Sequence, residues 1–361
     1  MTRLLYPLPA FRARQIFKWI AGGALSFDQM TNLPLNLREE LARRFLVCSG
    51  VISARLDDPD GTVKIQIRLR DGAKIEAVLL CEETKDHSPE HPEQHTRRYT
   101  ACLSTQAGCP AGCVFCKTGS LGFLRNLDSA EITGQFLMLR AIAPLISNIV
   151  IMGMGEPLLN LAELRRALSV LTDPEGLGIS SRRITLSTSG IVGGIRDLAD
   201  QGPPVRLALS LTTARENLRQ RLMPIGRTNP LPALKEALCY FQQQGGGRLT
   251  LEAALLGGIN TRREDAAALI AFAKGLDTVV NLIPWNPIEG MEFEGKALRE
   301  PSKQEAAEFA RLLEQGGLKV IRRFRRGRSI RGACGQLGLA ALPNNSEFKK
   351  WSNETGPGSC L

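Results

Sequence analysis

Four of the nine cysteines in this chain fall within fifteen residues, at Cys102, Cys109, Cys113 and Cys116. Three of them share the segment GCPAGCVFC, where Cys109, Cys113 and Cys116 stand at C-x3-C-x2-C spacing and Pro110 and Gly112 loosen the turns between them. Thiolates this close in sequence can wrap one face of a small iron–sulfur cluster. A structural zinc normally takes four ligands, and Cys102 could complete that set, so zinc is the competing assignment. A four-iron cubane held by only three cysteines keeps one iron open. That iron can chelate the amino and carboxylate groups of S-adenosylmethionine, pass one electron to its sulfonium and release a 5′-deoxyadenosyl radical.

The other chemistry-bearing residues are few. The only histidines, His87, His91 and His95, lie in DHSPEHPEQH, where Pro89 and Pro92 break the helix that their spacing would need to form a metal-binding face. That stretch reads as a solvated loop, and a Ser-His-Asp triad is not expected. Cys48, Cys81, Cys239 and Cys360 carry no motif and read as small buried hydrophobes. An odd cysteine count with one tight cluster is unlike a secreted disulfide framework and suits a reducing cytosol. With 361 residues, 43% hydrophobic, the chain can build a large core, and a formal charge of +10 points to a polyanionic partner such as nucleic acid. No apolar run approaches the roughly 20 residues of a membrane span, and Arg and Pro interrupt the first residues before a signal-peptide core could form. A cytoplasmic protein with no membrane partner is expected.

These residues need a scaffold. Residues 1–47 read as a small basic helical module, with Phe11, Ile16, Phe17 and Ile20 at near-helical spacing and NLREELARRF repeating the pattern after Pro34. Residues 48–97 read as a β-hairpin, VKIQIRLR and AKIEAVLL about the Asp71-Gly72 turn, followed by the polar loop 82–97 with the histidines. From 98 to 340 strands and helices alternate. YTACLSTQ, NIVIMGMG, RITLSTSG, VRLALSLT, LTLEAALL and TVVNLIPW are the strands, with a further one at KVIRRF. This is an α/β pattern, a partial (β/α)6 TIM-like barrel. Residues 341–361 read as a loose tail.

In such sheets ligands bind at the carboxyl ends of the strands. NIVIMGMGEP puts Gly153 and Gly155 where backbone must approach a ligand closely, with Glu156 able to receive an ammonium group. Ser187, Ser210 and Asn286 end three further strands and offer neutral hydrogen-bonding groups for a carboxylate, ribose or adenine. Cys334 follows six arginines between 322 and 331, a run able to hold RNA phosphates beside it.

The segments CLSTQAGCPAGCVFCKTGSLGFLRNL, IVIMGMGEPLLNL, RRITLSTSG, NLIPWNP and RGACGQL, in this order, resemble the RlmN/Cfr family of radical-SAM RNA methyltransferases, and PAFRARQIFKW resembles that family's N-terminal module. The resemblance runs from about residue 8 to residue 340. It implies a radical-SAM barrel carrying a 4Fe-4S cluster on Cys109, Cys113 and Cys116. The bound S-adenosylmethionine would meet Gly155, Glu156, Ser187, Ser210, Leu211, Thr212 and Asn286. By the same resemblance, Cys334 takes a methyl group from one S-adenosylmethionine, and the radical from a second removes hydrogen from it. The methylene radical adds to carbon 2 of an adenosine in 23S ribosomal RNA or transfer RNA. Cys102 then resolves the adduct through a disulfide with Cys334, while Glu76 matches the family's proton acceptor. Methylation at carbon 8, the other branch of the family, is the enzymatic alternative. A non-catalytic RNA-binding protein with a structural metal is the alternative of another class. The resemblance further implies an electron donor such as flavodoxin or ferredoxin, and a monomer. Three departures mark a divergent member: Thr212 stands where the family usually has histidine, Lys117 replaces a small residue, and the loop 82–97 is longer.

Overall fold

The computed structural model describes residues 9–85, 95–322, 326–327 and 329–338. Its centre is one ten-stranded sheet, whose strands in chain order are β1 (Gly50–Asp57), β2 (Val63–Leu69), β3 (Lys74–Lys85), β4 (His95–Cys102), β5 (Ile146–Ile151), β6 (Ile184–Thr188), β7 (Arg206–Ser210), β8 (Leu249–Leu255), β9 (Thr278–Pro284) and β10 (Val320–Arg322). From β4 to β10 every neighbouring pair is parallel and follows chain order. Parallel neighbours require crossovers, and helices supply them. They run Ser129–Ile142, Leu161–Leu171, Val192–Gln201, Leu231–Gln243, Arg263–Ala273 and Lys303–Gln315. Ile149, Ile184, Leu186, Leu207, Leu209, Leu251 and Val280 from the strands meet Phe136, Leu164, Ile195, Leu234, Leu269 and Leu313 from these helices in one apolar core. All six expected β/α strands and the further one at KVIRRF are present. The sheet stays open, because β1 and β10 are its edges.

The expected hairpin is present as β2 and β3, with Ile67 opposite Ile75 across the Asp71-Gly72 turn, where Gly72 takes φ +86°. Two features correct the sequence reading. A third strand, β1, pairs antiparallel with β2, and β3 pairs antiparallel with β4 from Val78–Cys102 to Lys85–His95. The polar loop is therefore shorter than 82–97, and the boundary drawn at 97 falls inside β4. Alternation breaks down here because Glu82, Glu83, Arg97 and Arg98 are exposed, so polar residues there cost nothing. His87 and His91, the tail 341–361 and Cys360 lie outside the described residues.

The N-terminal helices, α1 (Ala10–Ala21) and α2 (Leu35–Arg44), enclose a small core of their own from Ala13, Ile16, Phe27, Met30, Leu33, Leu37 and Leu41. Phe11, expected on the buried face, is 58% exposed. Phe17 instead packs on Gly176, where a Cβ would stand 2.2 Å from the ring, so the glycine is what lets the module seat against the barrel.

Phe136 is fully buried on the first barrel helix. Its replacement, Phe136→Ala, is expected to cost about 3–5 kcal/mol of unfolding free energy, as cavity formation in a packed core does. Urea denaturation followed by circular dichroism checks this, with exposed Phe11→Ala expected to stay within about 0.5 kcal/mol of the unchanged protein.

Candidate active site

Cys109, Cys113 and Cys116 lie on the loop that leaves β4, and all three line a single cavity over the carboxyl ends of the parallel strands. The loop is built by backbone contacts. Cys109 N–H donates to the carbonyl of Gly122 at 2.7 Å and Cys116 N–H to that of Cys113 at 3.1 Å. Gly108, at φ +78°, has no room for a Cβ, which would fall 2.0 Å from the Gly122 carbonyl oxygen. The helix Glu216–Leu222 holds the loop from the other side, through Val114 N–H to Leu222 O at 3.0 Å. Burial pushes the Cys109 thiol up to about 12 and moves Cys113 and Cys116 in the same direction, with the neighbouring thiols adding to it. Such thiols hold their protons until a cation displaces them.

The opposite wall comes from successive strand ends. Ser187 and Ser210, at the ends of β6 and β7, face each other with oxygens 3.0 Å apart, and both line the cavity with Gly155, Glu156, Thr212 and Asn286. Of the expected cofactor residues only Leu211 is absent from the lining. Its side chain is fully buried in the core, and its N–H is spent on the carbonyl of Glu252. Thr212 takes φ +61°, a costly conformation for a β-branched residue and one that structures retain mainly at functional sites.

The glycines and Glu156 differ from expectation. What approaches Gly153 and Gly155 is protein: a Cβ would stand 2.6 Å from Ser104 Oγ at the first and 2.6 Å from Gln106 Cβ at the second. They let β5 end against the loop that carries the cysteines. The Glu156 carboxylate accepts from Ser189 N–H and Oγ–H, both at 2.6 Å, and from Leu158 N–H at 3.1 Å. It fastens the end of β5 to the end of β6 while still lining the cavity, and burial pushes its pKa up against those hydrogen bonds.

Cys334 lies beyond β10, exposed, and lines this cavity too. It also lines a second one, with Cys102, Thr100, Asn148, Arg322 and Arg326. The two thiols placed together by resemblance thus share a chamber, and Cys334 stands where the two chambers meet. Asn286 donates from Nδ2 to the Cys334 carbonyl at 3.0 Å, and its buried Oδ1 has no hydrogen-bond partner. Lys117 N–H donates to Gly335 O at 2.7 Å, and Thr118 Oγ to Leu337 O at 2.8 Å. Position 117 works through its backbone, which explains why lysine is accepted there. Glu76 is only 2% exposed and lies outside both linings, beside Lys64 at 3.6 Å. Of the six arginines before Cys334, Arg322, Arg326 and Arg331 are described, and the other three lie outside the described residues.

Residues 103–270 match the Radical SAM superfamily, and residues 8–47 match the ribosomal RNA large subunit methyltransferase N-terminal domain. A probable dual-specificity RNA methyltransferase RlmN from Treponema denticola is 50% identical over 335 residues, 93% of this chain and 92% of that protein. A protein of the same description from Treponema pallidum is 46% identical, covering 92% of each chain. The crystal structure of a radical SAM methyltransferase from Sphaerobacter thermophilus superposes with a TM-score of 0.83 at 36% identity, covering 91% of this chain and 93% of that one. The chain belongs to the RlmN family of radical SAM RNA methyltransferases.

For an RlmN-family protein the superfamily implies S-adenosylmethionine and a 4Fe-4S cluster, and the residues present fit both. Three half-buried thiols line one cavity, and the unpartnered Asn286 Oδ1 and the serine pair offer it polar atoms. Among the described residues no three His, Cys, Asp or Glu converge as one metal ion would require. A cubane asks for less, because each of its cysteines binds a different iron. Glu252, Ser189 and Trp285 are among the lining residues that were not picked out from the sequence. Glu252, in the middle of β8, was legible as a carboxylate inside the apolar run LTLEAALL. Ser189 and Trp285 carry no such signal: Trp285 enters because its indole N–H donates to Phe115 O at 2.8 Å.

Gly153→Ala is expected to weaken S-adenosylmethionine binding by about tenfold, since overpacking of this kind costs on the order of 1–3 kcal/mol. Equilibrium dialysis on the reconstituted protein measures it. Among the described residues no helix is long and apolar enough to cross a membrane.

Proposed function

We propose that this protein methylates carbon 2 of an adenosine in 23S ribosomal RNA and in transfer RNA, with Cys334 carrying the new carbon and Cys102 releasing it. The observation that carries the reading is the position of Cys334 on both chambers, one lined by Cys109, Cys113 and Cys116 and the other by Cys102. The relatives' description as dual-specificity RNA methyltransferases supports the substrate class.

When bound, the cluster and two molecules of S-adenosylmethionine per turnover supply a methyl cation and then a 5′-deoxyadenosyl radical. Cys109, Cys113 and Cys116 hold the cluster. Ser187, Ser210, Thr212 and Asn286 orient S-adenosylmethionine, and the buried wall keeps water from the radical. A hydrogen-bearing ring carbon of adenine is a poor nucleophile, so the carbon is first carried on sulfur. Cys334, as thiolate, takes the methyl group and later gives up one hydrogen atom from it, leaving a methylene radical on its sulfur. That radical bonds to carbon 2, and the adduct gives its ring proton to a base and one electron to a one-electron acceptor, a role that the oxidised iron–sulfur cluster would fill, so the ring becomes aromatic again. Cys102 then attacks the Cys334 sulfur: a disulfide forms, the sulfur–carbon bond breaks, and the released carbon takes a proton to become the methyl group. A cellular dithiol must reduce the disulfide before the next turnover, and a one-electron donor such as a flavodoxin or ferredoxin must prime each cycle.

The base reaches Cys334 only if it is turned out of its stack, which favours a folded RNA with an accessible loop. Arg322 and Arg326 stand in the wall of the Cys102 chamber, suited to phosphate contacts, although Arg326 also donates to Cys81 O at 2.7 Å.

Mass spectrometry of RNA nucleosides from the purified reaction should place the methyl group on carbon 2. Cys334→Ala should lose both the protein-bound methyl group and the product. Cys102→Ala should retain the protein-bound methyl group but leave RNA covalently attached through Cys334. Methyladenosine formed at the usual rate by Cys334→Ala would overturn the mechanism.

A further inference from the structure

Lys64 has no exposed surface and Glu76 is 2% exposed, and they sit diagonally across β2 and β3, Nζ to Oε1 3.6 Å. Burying two charges is expensive even when they pair, because desolvation can outweigh their attraction. Burial pushes the Glu76 carboxyl up and the Lys64 ammonium down, and each partner's charge opposes the effect. An apolar pair would fill the same site more cheaply, so the stability of the sheet does not account for these residues.

Their other contacts do. Lys64 Nζ donates to the carbonyl of Arg331 at 3.2 Å, and Glu76 Oε2 accepts from the N–H of Gly338 at 2.8 Å. These are the two ends of one segment, with Cys334 between them. The segment turns through the left-handed region three times, at Arg331, Gly335 and Gly338 with φ values of +50°, +85° and +99°, and at Arg331 without the freedom of a glycine. The turn that leads into β2 holds the approach to this segment as well, because Asp60 accepts from Gly327 N–H and Asp58 from Ser329 N–H, both at 2.9 Å. Glu76 meanwhile lines neither chamber, so its carboxylate is committed to Gly338 and Lys64 and not to the space where a base would lie.

We propose that Lys64 and Glu76 are positioning residues, a buried ionic clamp that holds Arg331–Gly338 in the shape that keeps Cys334 at the junction of the two chambers, and that Glu76 is not the acceptor of the ring proton. The clamp rests on the reading of Cys334 as the methyl carrier for its importance, but its geometry can be tested without that reading. A proton acceptor is needed only once RNA is bound and the carbon is attached to the ring. A clamp is needed before that, when Cys334 is methylated with no RNA present.

The experiment uses the reconstituted full-length protein as wild type, Glu76→Gln and Lys64→Met, with iron content and melting temperature recorded as checks on folding. Two readouts are taken without RNA: the rate at which Cys334 gains a methyl group, by peptide mass spectrometry, and amide hydrogen exchange across 331–338. Both variants are expected to slow methylation about tenfold or more and to speed exchange in that segment to a similar degree, Lys64→Met by losing a hydrogen bond from a charged group and Glu76→Gln by making the acceptor of Gly338 neutral and leaving buried Lys64 without its counter-charge. If Glu76→Gln methylates Cys334 and protects 331–338 as the wild type does, the clamp is wrong and a role in proton removal is restored. If a single variant fails to fold, the double variant Lys64→Met with Glu76→Leu removes both charges together, a change that buried pairs often tolerate. It still leaves Gly338 N–H without its acceptor, and unchanged exchange there would overturn the proposal. Absence of methyl on wild-type Cys334 would count against the methyl-carrier reading, while the exchange result would judge the clamp on its own.

Discussion

A 2.7 Å hydrogen bond from Lys117 N–H to Gly335 O joins the loop of three cysteines to the loop of Cys334, and the proposed chemistry depends on that junction. The two loops are separated by more than two hundred residues and by the whole parallel sheet. A carbon passed from sulfur to a base must be made on one side of Cys334 and delivered on the other. A displacement of about 1 Å between such partners can cost two orders of magnitude in rate. Thr118 to Leu337 and Asn286 to Cys334 add two further fastenings, so three elements of different origin agree on one position for the thiol. Backbone groups dominate, which leaves side chains at positions such as 117 free to vary.

The antiparallel strands matter for the same reason. β1 to β3 extend the parallel sheet through the β3–β4 pairing, and the chain bearing Cys334 runs back over them. A radical-SAM barrel alone would leave that chain lying on solvent after β10. Here it lies on a rigid antiparallel floor through Asp58, Asp60, Lys64 and Glu76. Cys102, the last residue of β4, sits where floor and barrel meet, which is how one strand supplies both the thiol proposed to resolve the adduct and the start of the cysteine loop.

Much of this was legible in the chain itself. Each strand from β5 to β9 is a largely apolar run of five to seven residues with Gly, Ser, Thr or Asn at or just beyond its end, and buried strands of that kind announce themselves. The C-x3-C-x2-C spacing carried the cluster because three ligands in eight residues leave little conformational freedom to misread. Phe11 misled because helical spacing says which residues share a face but not how wide the buried face is. Gly153 and Gly155 were rightly marked as close approaches, yet periodicity cannot say whether the approaching atom belongs to a ligand or to Ser104 and Gln106. Glu156 shows the same limit, since its hydrogen bonds to Ser189 join two strands that are adjacent only in space.

The amino-acid sequence alone pointed to the family, and to Cys102 and Cys334, through motifs that resemble it, to the cysteine cluster through its spacing and to the parallel β/α alternation through its pattern. Only the tertiary structure decided that Cys334 opens on two chambers, that Cys102 shares the second, and that Glu76 is buried against Lys64 with its carboxylate on Gly338. Apart from the Lys64–Glu76 pairing within one hairpin, those facts depend on contacts between residues more than two hundred positions apart. Such contacts follow from how the sheet curls and from where an irregular segment settles on it, and no local pattern in the chain records either.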